Sequence, residues 1–336
     1  MIDNESRLKK ELETFDENIN IHELPDIFHY WSNKYLRPML EEYDIAHPDD
    51  LFVKYMFDSA SICGVAKPIF VSIGSGNCDT EVRIAKRLQE KGLQDFCIEC
   101  LDLNPNMLKR GRELALKEGV VTNMSFIELD FNKWKADKEY ISVIANQSLH
   151  HINNLEGVFG EIKKSLHKNG TFITSDMIGR NGHQRWPEAL SALHDFWKEI
   201  PEDYKYNHQL KRSEDMYENW DCSREGFEGI RAQDILPLLI KNFNFELFIG
   251  FSNVIDIFID RGFGHNFDVN NKWDTDFIDK VHQFDEDSIR SGTIKPTHIM
   301  AVMKQHPVSN PNYSRNFSPE YCMRDPNIDS FLSEKA

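Results

Sequence analysis

The sequence predicts an α/β fold: a doubly wound, mostly parallel seven-stranded sheet with a helical N-terminal cap and helical insertions. Three observations predict it. Between residues 68 and 176 short apolar runs alternate with helical stretches five times, the pattern of a parallel sheet covered on both faces. The first run ends in a glycine turn, Gly74-Ser75-Gly76, that leads into a helix. An acid, Asp102, closes the second run, where such folds open their ligand crevice.

Residues 1–14 are highly charged and read as a frayed helix. From 25 to 60 the residues Phe28, Trp31, Tyr35, Leu36, Met39, Leu40, Leu51, Phe52, Tyr55 and Met56 recur at spacings of three and four, as on amphipathic helices. The run 69–73 is a buried strand. In the helix after it, Val82, Ala85 and Leu88 share a face and Gly92 serves as a C-terminal cap. Strand 96–103, helix 106–118, strand 125–129, strand 140–145, helix 155–166 and strand 170–174 follow. Residues 180–225 are charged, aromatic and helical. A helix at 232–242 and late strands at 245–251 and 297–303 complete the pattern, and 307–336 reads as a loosely packed tail. The organisation expected is a cap over 1–62, a ligand-binding domain over 63–304 with insertions at 180–225 and 253–295, and a tail over 305–336.

Composition narrows the function. With 336 residues, 40% of them hydrophobic and 23 of them Phe, the chain can bury a sizeable core, so wholesale disorder is excluded. It carries 39 Lys+Arg against 55 Asp+Glu, a formal charge of −16, which argues against nucleic acid as the main ligand. No apolar run approaches the ~20 residues that cross a bilayer, so no membrane partner is expected. The charged residues 1–14 show no apolar signal core, and six scattered cysteines suit free thiols in a reducing cytoplasm.

The glycine turn is the sharpest local signal. Glycines let a ligand approach the backbone, and the helix start presents free N–H groups, although such a turn also occurs for geometry alone. The dinucleotide pattern GxGxxG fails, because Asp79 occupies its third glycine position. Asp79 and Glu81 in the first helical turn repel a pyrophosphate, so a positively charged ligand fits better. Asp102 at its strand end can accept both hydroxyls of a ribose, while Asn104 is the better placed helix cap. Asp130, beside Phe131, ends the next strand; such an acid also occurs as a plain turn residue.

The order of these segments, with Leu101–Leu108 as LDLNPNML, then ELDF, then IANQSLHHI at 144–152 and LHKNGTFI at 166–173, resembles the class I, Rossmann-like S-adenosylmethionine-dependent methyltransferases. The resemblance covers roughly residues 65–180, and the two late strands resemble the family's last two. It implies S-adenosyl-L-methionine as cofactor. Gly74, Ser75 and Gly76 then lie under the methionine portion, Asp102 holds the ribose, Leu103 flanks the adenine, and Asp130 with Phe131 meets the adenine amino group. Asn146 and Gln147 face the methyl. Two departures stand out: the family's acid before the first glycine is Ser72, and its third glycine is Cys78.

His150 and His151, at the fourth strand's exit, are the bases this implies, with Asp176 at the end of the fifth strand on the same side; a packing histidine is the plainer alternative for either one. His183, Arg185 and Trp186, and then Arg261 and His265, sit in polar, glycine-bearing loops that suit a small polar acceptor such as a sugar, or are surface loops. No metal is expected: Cys97 and Cys100 lie three apart on a strand and face opposite sides, with no second pair to complete a zinc site, and His150 with Asp176 is a weak ion pair of ligands. The function expected is O-methylation of a sugar or related secondary metabolite. The alternatives are a protein or RNA methyltransferase, a non-catalytic cofactor-binding relative, and an NAD(P)-dependent oxidoreductase.

Overall fold

A computed structural model describes Arg7, residues 23–224 and residues 226–324. The helix expected over 1–14 lies outside the described residues, apart from Arg7. The cap begins with α1 (Asp26–Trp31), which runs through one π turn into α2 (Arg37–Glu41) and is followed by α3 (Pro48–Cys63). His47 starts α3 with a reciprocal cap: its ring accepts from the Asp49 N–H, and Asp50 accepts from the His47 N–H. Ser59 on α3 meets Thr171 across a 2.9 Å hydrogen bond, fixing the cap to the sheet.

The alternation follows the apolar pattern. It comprises β1 (Ile69–Ile73), α4 (Asp79–Glu90), β2 (Cys97–Asp102), α5 (Pro105–Lys117), β3 (Met124–Glu128), β4 (Tyr140–Asn146), α6 (Leu155–Ser165) and β5 (Leu166–Met177). Val82, Ala85 and Leu88 are all buried, as their spacing requires. Asn104 caps α5, accepting from the Asn106 and Met107 N–H groups. The first insertion holds α7 (Pro187–Trp197) and a small hairpin of β6 (Tyr206–Asn207) and β7 (Arg212–Ser213). Then come α8 (Ala232–Asn242), β8 (Asn244–Phe251), α9 (Ile255–Ile259), α10 (Lys272–Ser291) and β9 (His298–Lys304).

The main sheet has eight strands, not seven, in the order β10-β8-β9-β5-β4-β1-β2-β3. The extra edge strand is β10 (Asn312–Tyr313), parallel to β8 and drawn from the segment read as a loose tail. Two residues carry no alternation for sequence reading to catch. After it, α11 (Pro319–Cys322) also belongs to the packed body: Tyr321 donates to the carbonyls of Ile289 and Arg290 at the end of α10. Only β9 runs antiparallel to its neighbours. The order reverses between β1 and β4, so the carboxyl ends of β1, β2 and β4 face one crevice. Beneath it Phe70, Val71, Ile73, Val143, Ile144, Phe172 and Ile173 are fully buried, each worth roughly 1.5–3 kcal/mol of burial. That rigid floor holds the strand ends in place.

Candidate active site

The turn after β1 is pinned from three sides. Gly74 and Gly76 have positive φ (+69° and +54°), which glycine adopts without strain. The N–H groups of Gly74 and Ser75 both donate to the Leu101 carbonyl, tying the turn to β2. A Cβ on Gly74 would stand 2.6 Å from the Ser148 Cβ and 3.8 Å from the Phe131 ring, so the turn presses against the β4 exit. Asp102 closes the third side. Its Oδ2 accepts from the Gly76 N–H and its Oδ1 from the Asn104 N–H, both at 2.8 Å. Burial pushes the Asp102 pKa up, against the pull of those N–H groups and of His151.

Both departures from the family pattern have structural answers. Cys78 keeps the left-handed conformation of the glycine it replaces (φ +58°) and is fully buried. Room for it comes from Gly111 on α5, where a Cβ would meet the Cys78 sulfur at 2.8 Å. Ser72 donates to Oε1 of Glu81, which is buried behind the turn. The other oxygen, Oε2, is buried without a hydrogen-bond partner, and burial pushes the Glu81 pKa up to about 7. The sequence shows Glu81 only as an acid of the first helical turn; its burial against Ser72 follows from its place on the inward face of α4, one position before Val82.

These residues fit S-adenosylmethionine. A carboxylate with one main-chain N–H on each oxygen keeps a lone pair on each for a vicinal diol. Two glycines in the turn leave no Cβ to hold a ligand off the backbone, and the unpartnered Glu81 oxygen lies buried behind them. Phe131 lies on the same wall as Gly74. Asp130 acts locally, accepting from the Asn132 N–H and pairing with Lys133. Asn146 reaches Thr80 (3.4 Å), and Gln147 is exposed at φ +52°.

Beyond the β4 exit three histidines converge on one carboxylate. Asp176 takes N–H bonds from Ser148 and Leu149 on Oδ2 and from Met177 on Oδ1, and lies 2.6 Å from His150 Nδ1. His150 Nε2 is 3.4 Å from Glu228 Oε1, His183 Nε2 is 2.8 Å from that same oxygen, and His151 Nε2 is 3.4 Å from Oε2. Burial opposes the His150 imidazolium, but Asp176 and Glu228 outweigh it and push its pKa up to about 10. For His183 burial wins and its pKa falls. Burial would raise Asp176 and Glu228, yet the imidazoles hold both below the usual carboxylate range. Glu228 was not foreseen. It stands in an irregular stretch whose only signal is the Gly229 that follows it.

The remaining expected residues part company. Arg185 is buried, donating to Asp256 Oδ2 (3.2 Å) and to the His183 carbonyl (3.1 Å), so its charge anchors the chain under His183. Trp186 packs against the guanidinium groups of Arg180 and Arg324. Arg261 and His265 group with the hairpin: the His265 ring sits 5.3 Å from that of His208, whose N–H donates to the Gly262 carbonyl. None of the contacts described joins them to the histidine cluster. The six cysteines are free thiols.

The glycine turn, Asp102 at the end of β2 and the switch point between β1 and β4 form one α/β crevice of a polarity that suits a nucleoside. Residues 69–231 match the family model described as "Methyltransferase domain", a match that supports a class I, S-adenosylmethionine-dependent methyltransferase. The chain is 27% identical over 119 residues to malonyl-[acyl-carrier protein] O-methyltransferase 2 of Ilyobacter polytropus, a match covering 35% of this chain and 42% of that protein. The chain thus aligns with less than half the length of that curated relative. Among solved structures, it is similar to the O-methyltransferase of a trans-AT polyketide synthase multienzyme of Brevibacillus brevis in complex with S-adenosyl-L-homocysteine (TM-score 0.44, 16% identity, 83% of this chain and 78% of that one). It is also similar to geranyl diphosphate C-methyltransferase of Streptomyces coelicolor A3(2) (TM-score 0.43, 9% identity, 76% of each chain). Among the described residues, no helix is long and apolar enough to cross a membrane.

Proposed function

We propose that the protein transfers a methyl group from S-adenosylmethionine to a hydroxyl oxygen of a small polar metabolite, a sugar or related secondary metabolite. The observation that carries this reading is the imidazole–carboxylate cluster of His150, His151, His183, Asp176 and Glu228 beside the Asp102 pocket. When bound, the cofactor supplies a methyl made electrophilic by its positively charged sulfur. Gly74 and Gly76 hold the methionine portion and Asp102 the ribose, and the rigid strand ends fix the reacting direction, an alignment worth up to ~7–11 kcal/mol. A hydroxyl acceptor must also lose its proton, and in this reading the neutral ring of His151, which reaches Glu228 at 3.4 Å, takes it. Asp176 orients the neighbouring His150 from behind.

A carboxylate acceptor, such as the malonyl group named for the Ilyobacter relative, has no proton to lose at neutral pH and leaves this cluster without work. The test is a panel of sugar, polyketide-alcohol and carboxylate acceptors with methyl-labelled cofactor and mass detection of products. We expect an O-methyl ether, and a His151→Asn enzyme with S-adenosylhomocysteine affinity intact and kcat lower by ~10²–10⁴-fold. Methyl esters as the product, or an unchanged His151→Asn kcat, overturn the reading.

A further inference from the structure

We propose that His150, His183 and Glu228 form a binding site for one divalent first-row transition-metal ion at the acceptor end of the cleft. This rests on the reading of the cluster as acceptor-facing. The three donor atoms lie within 4.8 Å of one another, with His183 Nε2 and His150 Nε2 at 2.8 and 3.4 Å from the same Glu228 oxygen. Ligands held at ~2.0–2.1 Å around a four-coordinate zinc ion stand ~3.3 Å apart, so the set needs little movement to share one ion.

The tautomer is set from outside. Asp176 has three main-chain N–H donors of its own and binds His150 through Nδ1. It thereby directs the His150 Nε2 at Glu228, the arrangement by which a carboxylate behind a histidine prepares it as a ligand. An ion there takes the place of the Nε2 proton. Two imidazoles with one carboxylate suit zinc, iron, cobalt or nickel better than magnesium or calcium, which prefer all-oxygen sets. His150 is buried while His183 and Glu228 are only partly so, which leaves a side open to an acceptor oxygen.

The backbone is built to bring these residues together. The Gly182 N–H donates to the Gly229 carbonyl at 2.8 Å, placing His183 and Glu228, one residue away on each strap, side by side. Neither glycine tolerates a side chain: a Cβ on Gly229 would lie 3.0 Å from the Gly182 and His183 nitrogens, and one on Gly182 would overlap the Asp221 carboxylate. His183 itself is held at φ +55°, a conformation uncommon for a side-chain-bearing residue, and Arg185 clamps its carbonyl. Surface ion pairs form without such construction.

The test uses the full chain, stripped with a chelator and dialysed against Zn²⁺ or Co²⁺. We expect one ion per chain by elemental analysis and visible Co²⁺ absorption bands. The His183→Ala and Glu228→Gln variants should each weaken binding by at least about tenfold, and Asp176→Asn by ~10–100-fold. Their S-adenosylhomocysteine affinity, read by calorimetry, should be unchanged, which shows that they fold. Cys222, on the neighbouring loop, is the rival ligand, and Cys222→Ser should bind the ion as wild type does. No ion on the wild-type chain, binding unaltered in both His183→Ala and Glu228→Gln, or binding lost in Cys222→Ser overturns the proposal. If the ion is absent while methyl transfer persists, only this inference falls; failure to bind S-adenosylhomocysteine strikes the functional reading instead.

Discussion

Ser72 donates a 2.6 Å hydrogen bond to Glu81 Oε1 behind the glycine turn, joining the last turn-facing residues of β1 to the first turn of α4. The carboxyl belongs to a fully buried side chain, and burial raises its pKa from 4.5 to about 7. The folded state therefore binds this proton more tightly than the unfolded chain. Stability falls as pH rises from about 4.5 through about 7, and the full cost is present above that window. Glu81→Gln keeps the shape and removes the charge. In the absence of cofactor it should gain on wild type by up to about 3 kcal/mol between mildly acidic and mildly alkaline buffer. Denaturant midpoints at the two ends check this; a gap that does not widen with pH refutes it.

Asp102 carries the nucleoside assignment. Hydrogen bonds to a charged group are worth about 1.5–3 kcal/mol each. Asp102→Ala removes two potential bonds to a diol and also frees the Gly76 and Asn104 N–H groups that the carboxylate now holds. S-adenosylhomocysteine titrated by calorimetry should bind at least ~100-fold more weakly, with the thermal transition still cooperative. Unchanged affinity removes Asp102 from the site.

Gly74 tests how tightly the turn is built. Alanine there must adopt φ +69°, costing roughly 1–2 kcal/mol, and its methyl would overlap the Ser148 Cβ. Gly74→Ala should lose about 2–4 kcal/mol in equilibrium unfolding. Adding Ser148→Gly relieves the overlap but not the backbone strain, so the pair should be coupled by about 1 kcal/mol or more. Simple additivity of the two changes contradicts the close contact.

The legible part of this fold is the part written locally. Strand ends, the glycine turn, the Asn104 cap, Asp102, His150 and Asp176 each follow from a run of a few residues, because a parallel strand's end is where its side chains meet a ligand. Glu228 was not legible: it reaches the histidines only because Gly182 and Gly229 let two distant straps touch. The same limit hid the partner of Ser72, nine residues on, and the two-residue strand β10. Arg185 shows the converse error. Its residue type in a polar loop suggested an acceptor contact, whereas burial against Asp256 gives it an internal partner.

That internal pair has its own pH signature. Asp256 accepts from Arg185, Thr297 and Ser252 and lies 3.4 Å from His298. Burial works against its charge, but His298 and Arg185 prevail and lower its pKa from 3.8 to about 2. A depressed carboxyl contributes stability that is complete above 3.8 and is lost as pH falls through about 2, about 2 kcal/mol here. Asp256→Asn leaves the buried Arg185 guanidinium without its counter-charge, a change of the kind that costs about 3–5 kcal/mol. It should lower the unfolding midpoint most at neutral pH and progressively less as acid is added. Because Arg185 also clamps the His183 carbonyl, the variant should weaken Zn²⁺ binding at the cluster while leaving S-adenosylhomocysteine affinity near wild type. A stability loss that stays constant down to strongly acidic pH would show that the pair, not merely the residue, had been misread.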